Sequence, residues 1–424
     1  MDQNKTLENK IKIAVCGPVD AGKSSLIGVL TSKQLDDGRG LARKRVLKHK
    51  HELDSGRTSN ITFNNLIYET EDYKKVICLV DLAGHEKYLK TTVFGITGLF
   101  VDYGIVVIGA NTGITRLTKE HLGILLYMNI PTIIVITKVD VAPTEVYKTT
   151  KMKLKRLLGR TEFGKKLLFL SDEESKAKEE VEHYLEQLSN QKTLIPVVSI
   201  SNKTGHNVDN LHSMIQNLAP RVQWIKEDIQ GSLFFIDSTF KVPGIGLVLS
   251  GTLKGNDIIL GQKLWIGPVN GKFVEIRVRS LHNSIKEDVK QIYDGENSCI
   301  AIKFPNHKET LERDQIKKGM LIISNLEKYK KNVTWTFSAE VRILHHSTTI
   351  GTGYMPVLHC GPIRQSAKIE LLDEDQDNSR PLRTGDMQKV RFRFAFHPEF
   401  VESGTVFFFR DGTTKGVGTV LEVL

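Results

Sequence analysis

Residues 17–24 carry the pattern Gly-x-x-x-x-Gly-Lys-Ser, which this chain fills as Gly-Pro-Val-Asp-Ala-Gly-Lys-Ser. The preceding segment Ile11–Cys16 is apolar and β-branched, which indicates a buried strand, and the apolar positions of Leu26–Leu30 indicate a helix. Glycines let consecutive backbone N–H groups turn toward a phosphate at a helix N-terminus. Lys23 can then reach the outer phosphates, and the Ser24 hydroxyl can bind Mg²⁺. This context favours a nucleotide-binding strand–loop–helix unit over an ordinary glycine-rich turn.

Length and charge indicate a basic protein of several domains. The chain has 424 residues, more than one hydrophobic core usually serves, and its net charge of +10 favours an anionic partner such as RNA. The N-terminus lacks the apolar core of a signal peptide, and no apolar run is long enough to span a membrane. The four cysteines are scattered without a C-x-x-C pair. These features predict a cytoplasmic protein that has no membrane association, disulfide framework or zinc knuckle.

Strand-like and helical segments alternate up to about residue 222. Continuous apolar runs, typical of strands buried on both faces, lie at Val76–Val80, Ile105–Ile108, Ile133–Ile136 and Ile195–Ile200. This alternation predicts an α/β P-loop domain at residues 1–222, doubly wound around a mostly parallel sheet.

Residues 144–193 interrupt that pattern with many charges. Apolar side chains at helical spacing between Val181 and Leu188 mark an amphipathic helix, so we expect a helical insertion in the α/β domain. The alternative is a basic RNA-binding arm from Lys148 to Lys166, but charge runs are more often solvated faces.

After Ala219-Pro220 the pattern changes to short alternating runs separated by glycine-containing turns. The polar stretch Asn325–Asn332 divides these runs into two sets. We therefore predict two antiparallel β-barrels, at residues 229–327 and 333–424.

Polar motifs at the ends of the predicted strands indicate which nucleotide binds. Asp81-Leu82-Ala83-Gly84-His85 follows a strand, where Asp81 can hold Mg²⁺ through water, Gly84 N–H can bond a γ-phosphate and His85 can position a water. Thr137-Lys138-Val139-Asp140 follows the strand predicted at Ile133–Ile136. The Asp140 carboxylate can accept two hydrogen bonds from guanine that adenine cannot offer. Ser201-Asn202-Lys203 follows the last strand, within reach of guanine O6. Strand C-termini are where such a sheet binds its ligand, so the sequence predicts GTP.

These motifs resemble those of the translational GTPases typified by elongation factor Tu, and the resemblance extends over both predicted barrels. Within that group, residues 35–43, 49–52, 55–59, 81–98 and 359–367 look like the GTP-binding protein 1 and 2 subfamily. The match at residues 81–98, DLAGHEKYLKTTVFGITG, is long and specific.

The resemblance implies roles for individual residues. Thr58 matches the switch threonine that closes on Mg²⁺ and the γ-phosphate, His85 matches the catalytic histidine, and Asp20 matches a position beside a monovalent cation. The implied GTP or GDP site consists of Gly17, Val19, Asp20, Ala21, Gly22, Lys23, Ser24, Ser25, Gly84, Thr137, Lys138, Asp140, Ser201, Asn202 and Lys203. The implied Mg²⁺ site consists of Ser24, Thr58 and, through water, Asp81.

Three departures from the family pattern stand out. Thr137 replaces the usual asparagine, so one contact with the phosphate loop is expected to be shortened, and Arg57 stands where elongation factor Tu carries an apolar gate residue. Subfamily relatives also carry an N-terminal extension, whereas this chain begins ten residues before Ile11.

The resemblance implies a monomeric GTPase that binds aminoacyl-tRNA and acts at the ribosome. The segment Phe240–Gly246 is close to the family's pattern for the barrel that holds the aminoacyl end of tRNA. Intrinsic hydrolysis should be slow, because no arginine finger is evident and His85 needs an external partner.

Several alternatives remain open from the sequence. The main one is a GTP-switched adaptor for RNA turnover or stalled-ribosome quality control. A tRNA-carrying initiation factor subunit is disfavoured by the missing zinc knuckle, a selenocysteine-specific factor by the expected lack of a fourth domain, and an inactive relative by the filled catalytic positions. Metal binding by His49, His51 and Glu52 is less expected than a basic, solvated switch loop.

Overall fold

A computed structural model describes residues 7–47, 61–69, 73–159, 164–188, 194–220, 230–306, 310–372 and 381–424. Thr58, Arg57, His49, His51 and Glu52 lie outside these ranges. The chain divides into two compact units, residues 1–96 with 101–221, and residues 97–100 with 222–424. Within the described ranges, no helix has the length and apolar character needed to cross a membrane.

The first unit is built on a seven-stranded sheet, which confirms the predicted α/β fold. Its strands are β1 (Leu7–Cys16), β2 (Thr62–Glu69), β3 (Tyr73–Asp81), β4 (Tyr103–Gly109), β5 (Thr132–Thr137), β6 (Lys166–Phe169) and β7 (Leu194–Ser199). They lie in the order β2-β3-β1-β4-β5-β7-β6, and only the β2–β3 pair among them is antiparallel. Because the strand order reverses beside β1, ligand-binding loops are expected at the C-terminal ends of β1, β3, β4, β5 and β7.

Helices connect the parallel strands. They are α1 (Lys23–Ser32), α2 (Leu41–Lys44), α3 (Leu89–Thr97), α4 (Arg116–Tyr127), α5 (Thr144–Gly159), α6 (Glu174–Leu188) and α7 (Val208–Asn217). One core cluster joins β1, β4 and β5 to α1, α6 and α7 through residues such as Ile13, Leu26 and Tyr184. The central strands are buried along their whole length, as their continuous apolar sequences predict.

The charged segment 144–193 contains more than the helices that were predicted for it. Between α5 and α6 lies the edge strand β6, whose four residues Lys166–Phe169 pair in parallel with β7. The strand is short and half-exposed, so its sequence carries neither an alternating nor a continuous apolar pattern of useful length.

The second unit contains two closed β-barrels, as predicted. The first has strands β8 (Ser232–Val242), β9 (Gly246–Gly255), β10 (Ile258–Ile259), β11 (Lys263–Val269), β12 (Lys272–His282), β13 (Asp288–Val289), β14 (Gln291–Ile292), β15 (Asn297–Lys303) and β16 (Leu321–Ile323). The order β11-β16-β8-β9-β15-β12 closes because β12 also pairs with β11. A short helix α8 (Leu326–Tyr329) follows.

The second barrel has strands β17 (Val333–Thr334), β18 (Thr336–His345), β19 (Val357–Cys360), β20 (Ile363–Leu371), β21 (Met387–Phe394), β22 (Glu399–Phe400), β23 (Val406–Asp411) and β24 (Thr414–Val423). Six of them close in the order β18-β21-β20-β19-β23-β24. Its core is aromatic: Phe337 stacks on Phe392, and Phe407 meets both rings edge to face.

Glu399 is a buried carboxyl group in this barrel. Gln365 Nε2 donates a hydrogen bond to Glu399 Oε1 at 2.8 Å, and His397 Nδ1 lies 3.3 Å from the same oxygen. Burial raises the pKa of Glu399 to about 8, from an ordinary value of 4.5. The unfolded chain therefore loses this proton at lower pH than the folded chain does, so the carboxyl group opposes folding increasingly as pH rises through that window.

We expect Glu399→Gln to raise the melting temperature at pH 8.5 by several degrees and to leave it unchanged near pH 4.5. The amide keeps an acceptor oxygen for Gln365 but cannot ionise, and one pKa unit corresponds to about 1.4 kcal/mol. Thermal unfolding at both pH values measures the effect, with Glu422→Gln, which changes an exposed residue of β24, as the control. An equal shift at both pH values would show that ionisation of Glu399 is not the cause.

Candidate nucleotide-binding site

The loop between β1 and α1 has the backbone geometry of a phosphate cradle. Gly17 has φ 143°, and a Cβ atom at this position would collide with the carbonyl oxygen of Val107 on β4. Gly22 has φ 90° and forms the N-cap of α1, so the first helical N–H groups point out of the helix at the loop. Only glycine meets both demands without strain, and the resulting opening suits an anion.

Lys23, the first residue of α1, is buried beside this loop. Its Nζ donates a hydrogen bond to the Pro18 carbonyl oxygen at 2.9 Å. A Cβ atom at Gly84 would collide with the same ammonium group, so Gly84 must be glycine for the two loops to meet. Burial lowers the pKa of Lys23, while the nearby Asp81 carboxylate opposes that change. The cation thus lies where the phosphate loop and the loop after β3 converge.

Ser24 and Asp81, two of the three predicted Mg²⁺ ligands, lie in contact with each other. The Ser24 hydroxyl donates a hydrogen bond to Asp81 Oδ2 at 2.8 Å, and Asp81 is only 1% exposed at the end of β3. A hydroxyl and a carboxylate at this spacing are hard donors, which fit Mg²⁺ held directly by Ser24 and through water by Asp81. The third predicted ligand, Thr58, lies outside the described residues.

His85 lies at the exposed start of the loop that follows Gly84. It is the N-cap of the 3₁₀ turn Glu86–Tyr88, and its Nδ1 accepts a hydrogen bond from the Lys87 N–H at 3.1 Å. In a neutral ring of this tautomer, Nε2 carries the proton. The side chain is therefore held as a hydrogen-bond donor through Nε2.

Thr137 forms a hydrogen bond with the phosphate loop although it replaces the usual asparagine. Its hydroxyl, at the end of β5, donates a hydrogen bond to the Ala21 carbonyl oxygen of the phosphate loop at 2.6 Å. The shorter side chain reaches because β5 and the loop approach closely: a Cβ atom on Gly22 would lie 3.4 Å from the Thr137 hydroxyl oxygen. Lys138 then adopts φ 60°, which turns the chain and leaves Asp140 exposed.

The second loop that is predicted to recognise the base follows β7 and is closed by its own hydrogen bonds. Ser201 Oγ accepts from the N–H groups of Lys203 at 3.2 Å and Thr204 at 3.0 Å. Asn202 is 9% exposed, and its amide lies 3.6 Å from the position that a Cβ atom on Gly22 would take. The phosphate loop, Thr137 and Asn202 therefore meet at Gly22, which brings together the sequence motifs predicted to bind guanine and phosphate.

One residue of this site was not predicted from the sequence. His121 on α4 is 1% exposed, and its Nδ1 accepts a hydrogen bond from the Gly17 N–H at 3.0 Å. Burial, helped by the charge of Lys23, lowers the pKa of His121 to about 3, so the ring stays neutral and remains an acceptor. In the sequence His121 is one polar position in an amphipathic helix, and nothing local links it to a loop 104 residues away.

We expect His121→Ala to speed dissociation of GDP by about tenfold, because it leaves the buried Gly17 N–H without an acceptor, at a cost of about 1–3 kcal/mol. His121→Asn, whose amide oxygen can replace Nδ1, should retain most of the slow dissociation. Stopped-flow release of a fluorescent GDP measures both, with exposed Lys119→Ala on the same helix as the control. Equal release rates for the alanine and asparagine variants would contradict a role for this hydrogen bond.

Comparison with known families gives two matches. The family described as Elongation factor Tu GTP binding domain matches residues 8–221, and the family described as Elongation factor Tu C-terminal domain matches residues 329–424.

Several curated relatives resemble almost the whole chain. GTP-binding protein 1 of Xenopus laevis is 38% identical over 98% of this chain, and GTP-binding protein 2 of Homo sapiens is 33% identical over 97%. The chain spans 64% and 69% of the length of these two proteins. Elongation factor 1-alpha of Methanopyrus kandleri is 25% identical over 90% of this chain and 89% of its own length.

Solved structures share the fold. Translation elongation factor SelB of Methanococcus maripaludis, in complex with the GTP analogue GppNHp, superposes with a TM-score of 0.70 at 21% identity, covering 99% of this chain and 80% of SelB. Together with the phosphate loop, the Ser24–Asp81 pair and the loops after β5 and β7, these similarities show that the chain belongs to the elongation factor Tu family of GTPases.

Proposed function

We propose that this protein carries aminoacyl-tRNA in its GTP-bound state and hydrolyses GTP at the ribosome. The observation that supports the proposal is the combination of an elongation factor Tu-type nucleotide site with two closed barrels in one chain. The relatives and structural neighbours that share this arrangement include proteins named as elongation factors.

The turn between β8 and β9 in the first barrel is compatible with such a cargo. Phe240 is 46% exposed and Ile245 is 36% exposed, so the turn presents apolar surface. The Arg279 guanidinium donates a hydrogen bond to the Gly244 carbonyl oxygen at 3.2 Å and ties the turn to β12, which lies two strands from β9 in the barrel. A rigid apolar surface is suited to an aminoacyl group, because little side-chain entropy is lost on binding.

The proposal assigns roles to the residues of the nucleotide site. Lys23 binds the outer phosphates, Asp140 and the loop Ser201–Lys203 recognise guanine, and His85 positions the attacking water. Ser24 and Thr58 hold Mg²⁺, with Asp81 acting through water, and a monovalent cation lies beside Asp20. Mg²⁺, when bound, neutralises charge that develops on the phosphates. A monomeric state and a cytoplasmic location complete the proposal.

Binding of charged tRNA in the two nucleotide states tests the proposed function. We expect the full chain to bind aminoacyl-tRNA more tightly with a non-hydrolysable GTP analogue than with GDP, as a cargo that is released on hydrolysis requires. Protection of the aminoacyl ester bond against spontaneous hydrolysis, measured over a range of protein concentrations, gives the affinity, and competition by uncharged tRNA is the ligand control.

A variant of the nucleotide site provides the protein control. Lys23→Ala should bind aminoacyl-tRNA equally weakly with both nucleotides. Without Lys23 the protein no longer holds the outer phosphates, which distinguish GTP from GDP. Equal weak binding by the parent protein in both states would contradict the carrier role and leave the assignment to the GTPase family intact.

A further inference from the structure

Five cationic side chains lie between the end of α1 and the end of α2: Lys33, Arg39, Arg43, Lys44 and Arg45. We refer to them as the basic platform. Within the described ranges, none of the five forms an ion pair with a carboxylate within 4.0 Å. Their charge is therefore not neutralised by contact with this part of the protein.

The two acidic residues of this segment are engaged by its backbone. Asp36 Oδ1 accepts a hydrogen bond from the Ala42 N–H at 2.8 Å, and Asp37 Oδ1 accepts from the Arg39 and Leu41 N–H groups at 2.8 and 3.0 Å. These backbone bonds lower the pKa of Asp37. The carboxylates thus build the turn into α2, where the N-terminal N–H groups favour negative charge.

The platform is fastened to the rest of the GTPase unit at three points. The Ala42 carbonyl group packs on α1 where a Cβ atom at Gly28 would collide with it. Arg45 Nη1 donates to Ser32 Oγ at 2.8 Å. The Asp36 N–H donates to the Asn202 carbonyl oxygen in the guanine-recognition loop at 2.8 Å. Such attachment lowers the entropy that a binding partner must remove.

The dipole of helix α1 explains only two of the five cations in the basic platform. Lys33 is the C-cap of α1 and Arg45 bonds its last turn, where cations interact favourably with the helix dipole. Arg39, Arg43 and Lys44 are not at that terminus, and Arg39 and Lys44 are exposed. Arg43 and Lys44 lie in the last turn of α2, but a helix of four residues has only a small dipole, and Arg39 precedes α2, so helix dipoles do not account for these three cations.

We propose that the basic platform binds the phosphate backbone of RNA. Arginine is the side chain best suited to bidentate contacts with phosphate, and three of the five cations are arginines. Phosphate contacts of this kind fix position without reading sequence. The inference deepens the proposed function, on which it rests for the expectation that RNA is the anionic partner.

A charge-matched pair of variants tests the platform. The platform variant combines Arg39→Ala, Arg43→Ala and Lys44→Ala; the control variant combines Lys119→Ala on α4 with Lys176→Ala and Lys178→Ala on α6, three exposed cations outside residues 148–166. Each variant removes three positive charges from the GTPase unit. The ligand is a generic RNA hairpin, without tRNA, ribosome or aminoacyl group, so failure of the carrier role cannot be mistaken for failure of the platform.

The affinity of each full-length protein for the hairpin is measured from low to high KCl. The slope of log K against log salt decreases by about 0.9 for each duplex phosphate that the protein no longer neutralises. We expect the slope of the platform variant to fall by about two to three, and that of the control variant to stay within one of the parent. Affinity for GDP, unchanged in both, shows that the nucleotide site is folded; Arg39→Ala alone, with a fall of about one, serves if the triple variant does not bind GDP.

Three results would overturn the inference: an unchanged slope in the platform variant and in Arg39→Ala, equal changes in the platform and control variants, or weakened binding to phosphatidylserine vesicles with RNA binding unaffected. The second would show that total charge, not the platform, attracts RNA. The third would show that a lipid surface is the partner.

Discussion

Replacement of His85 by alanine is expected to lower ribosome-stimulated GTP hydrolysis by at least about a hundredfold and to leave GTP affinity unchanged. A side chain that positions or exchanges a proton with a reacting water typically contributes about 10²- to 10⁴-fold. His85 is exposed and caps a 3₁₀ turn at Nδ1, so only Nε2 is available to a water in this conformation. Because no phosphate-loop group depends on the imidazole, nucleotide binding should not change.

The measurement is single-turnover hydrolysis with and without ribosomes, paired with equilibrium binding of GTP. Lys87→Ala is the matched control, since this neighbour is also exposed and its N–H, which bonds Nδ1, is retained. A parallel loss of GTP affinity in His85→Ala would contradict a role confined to hydrolysis. An equal loss of turnover in Lys87→Ala would instead show that the exposed loop, rather than the imidazole, contacts the ribosome.

The parts of the fold that could be predicted from sequence are the elements whose own residues show that they are buried. Strands β4 and β5 are buried throughout, and their residues are continuously apolar, so their position and type were evident. Strand β6 was missed because an edge strand of four residues that begins with an exposed lysine has no such signature. Its assignment depends on pairing with β7, which only the folded chain supplies.

The candidate site shows the same division. Gly17, Lys23 and Asp140 belong to short motifs whose chemistry can be read from residue type and spacing. The hydrogen bonds of His121 with Gly17, and of Thr137 with Ala21, join residues more than 100 positions apart. Sequence spacing cannot reveal such contacts, because they depend on how α4 packs on β4 and β5 and on the position of β5 two strands from β1.

Replacement of Asp140 by asparagine should change the preference of the site from guanine nucleotides to xanthine nucleotides. The carboxylate is proposed to accept hydrogen bonds from guanine N1–H and the exocyclic amine; an amide presents a donor in place of one acceptor, which suits the carbonyl oxygen of xanthine. Sites built to hydrogen-bond a ligand group reject a mismatched ligand by factors of about 10⁴. We expect GTP affinity to fall at least a hundredfold, by about 2.7 kcal/mol or more, with a gain in affinity for XTP.

This substitution tests base recognition separately from folding, because the Asp140 side chain contributes little to the fold. Its side chain is exposed, and no hydrogen bond joins its carboxylate to the described residues, so stability should not change. Competition between GTP, XTP and ATP for a fluorescent nucleotide measures the preference, and Glu179→Gln, which changes an exposed acidic residue on α6, is the control. Unchanged GTP affinity in Asp140→Asn would place base recognition on the backbone of Ser201–Lys203 instead.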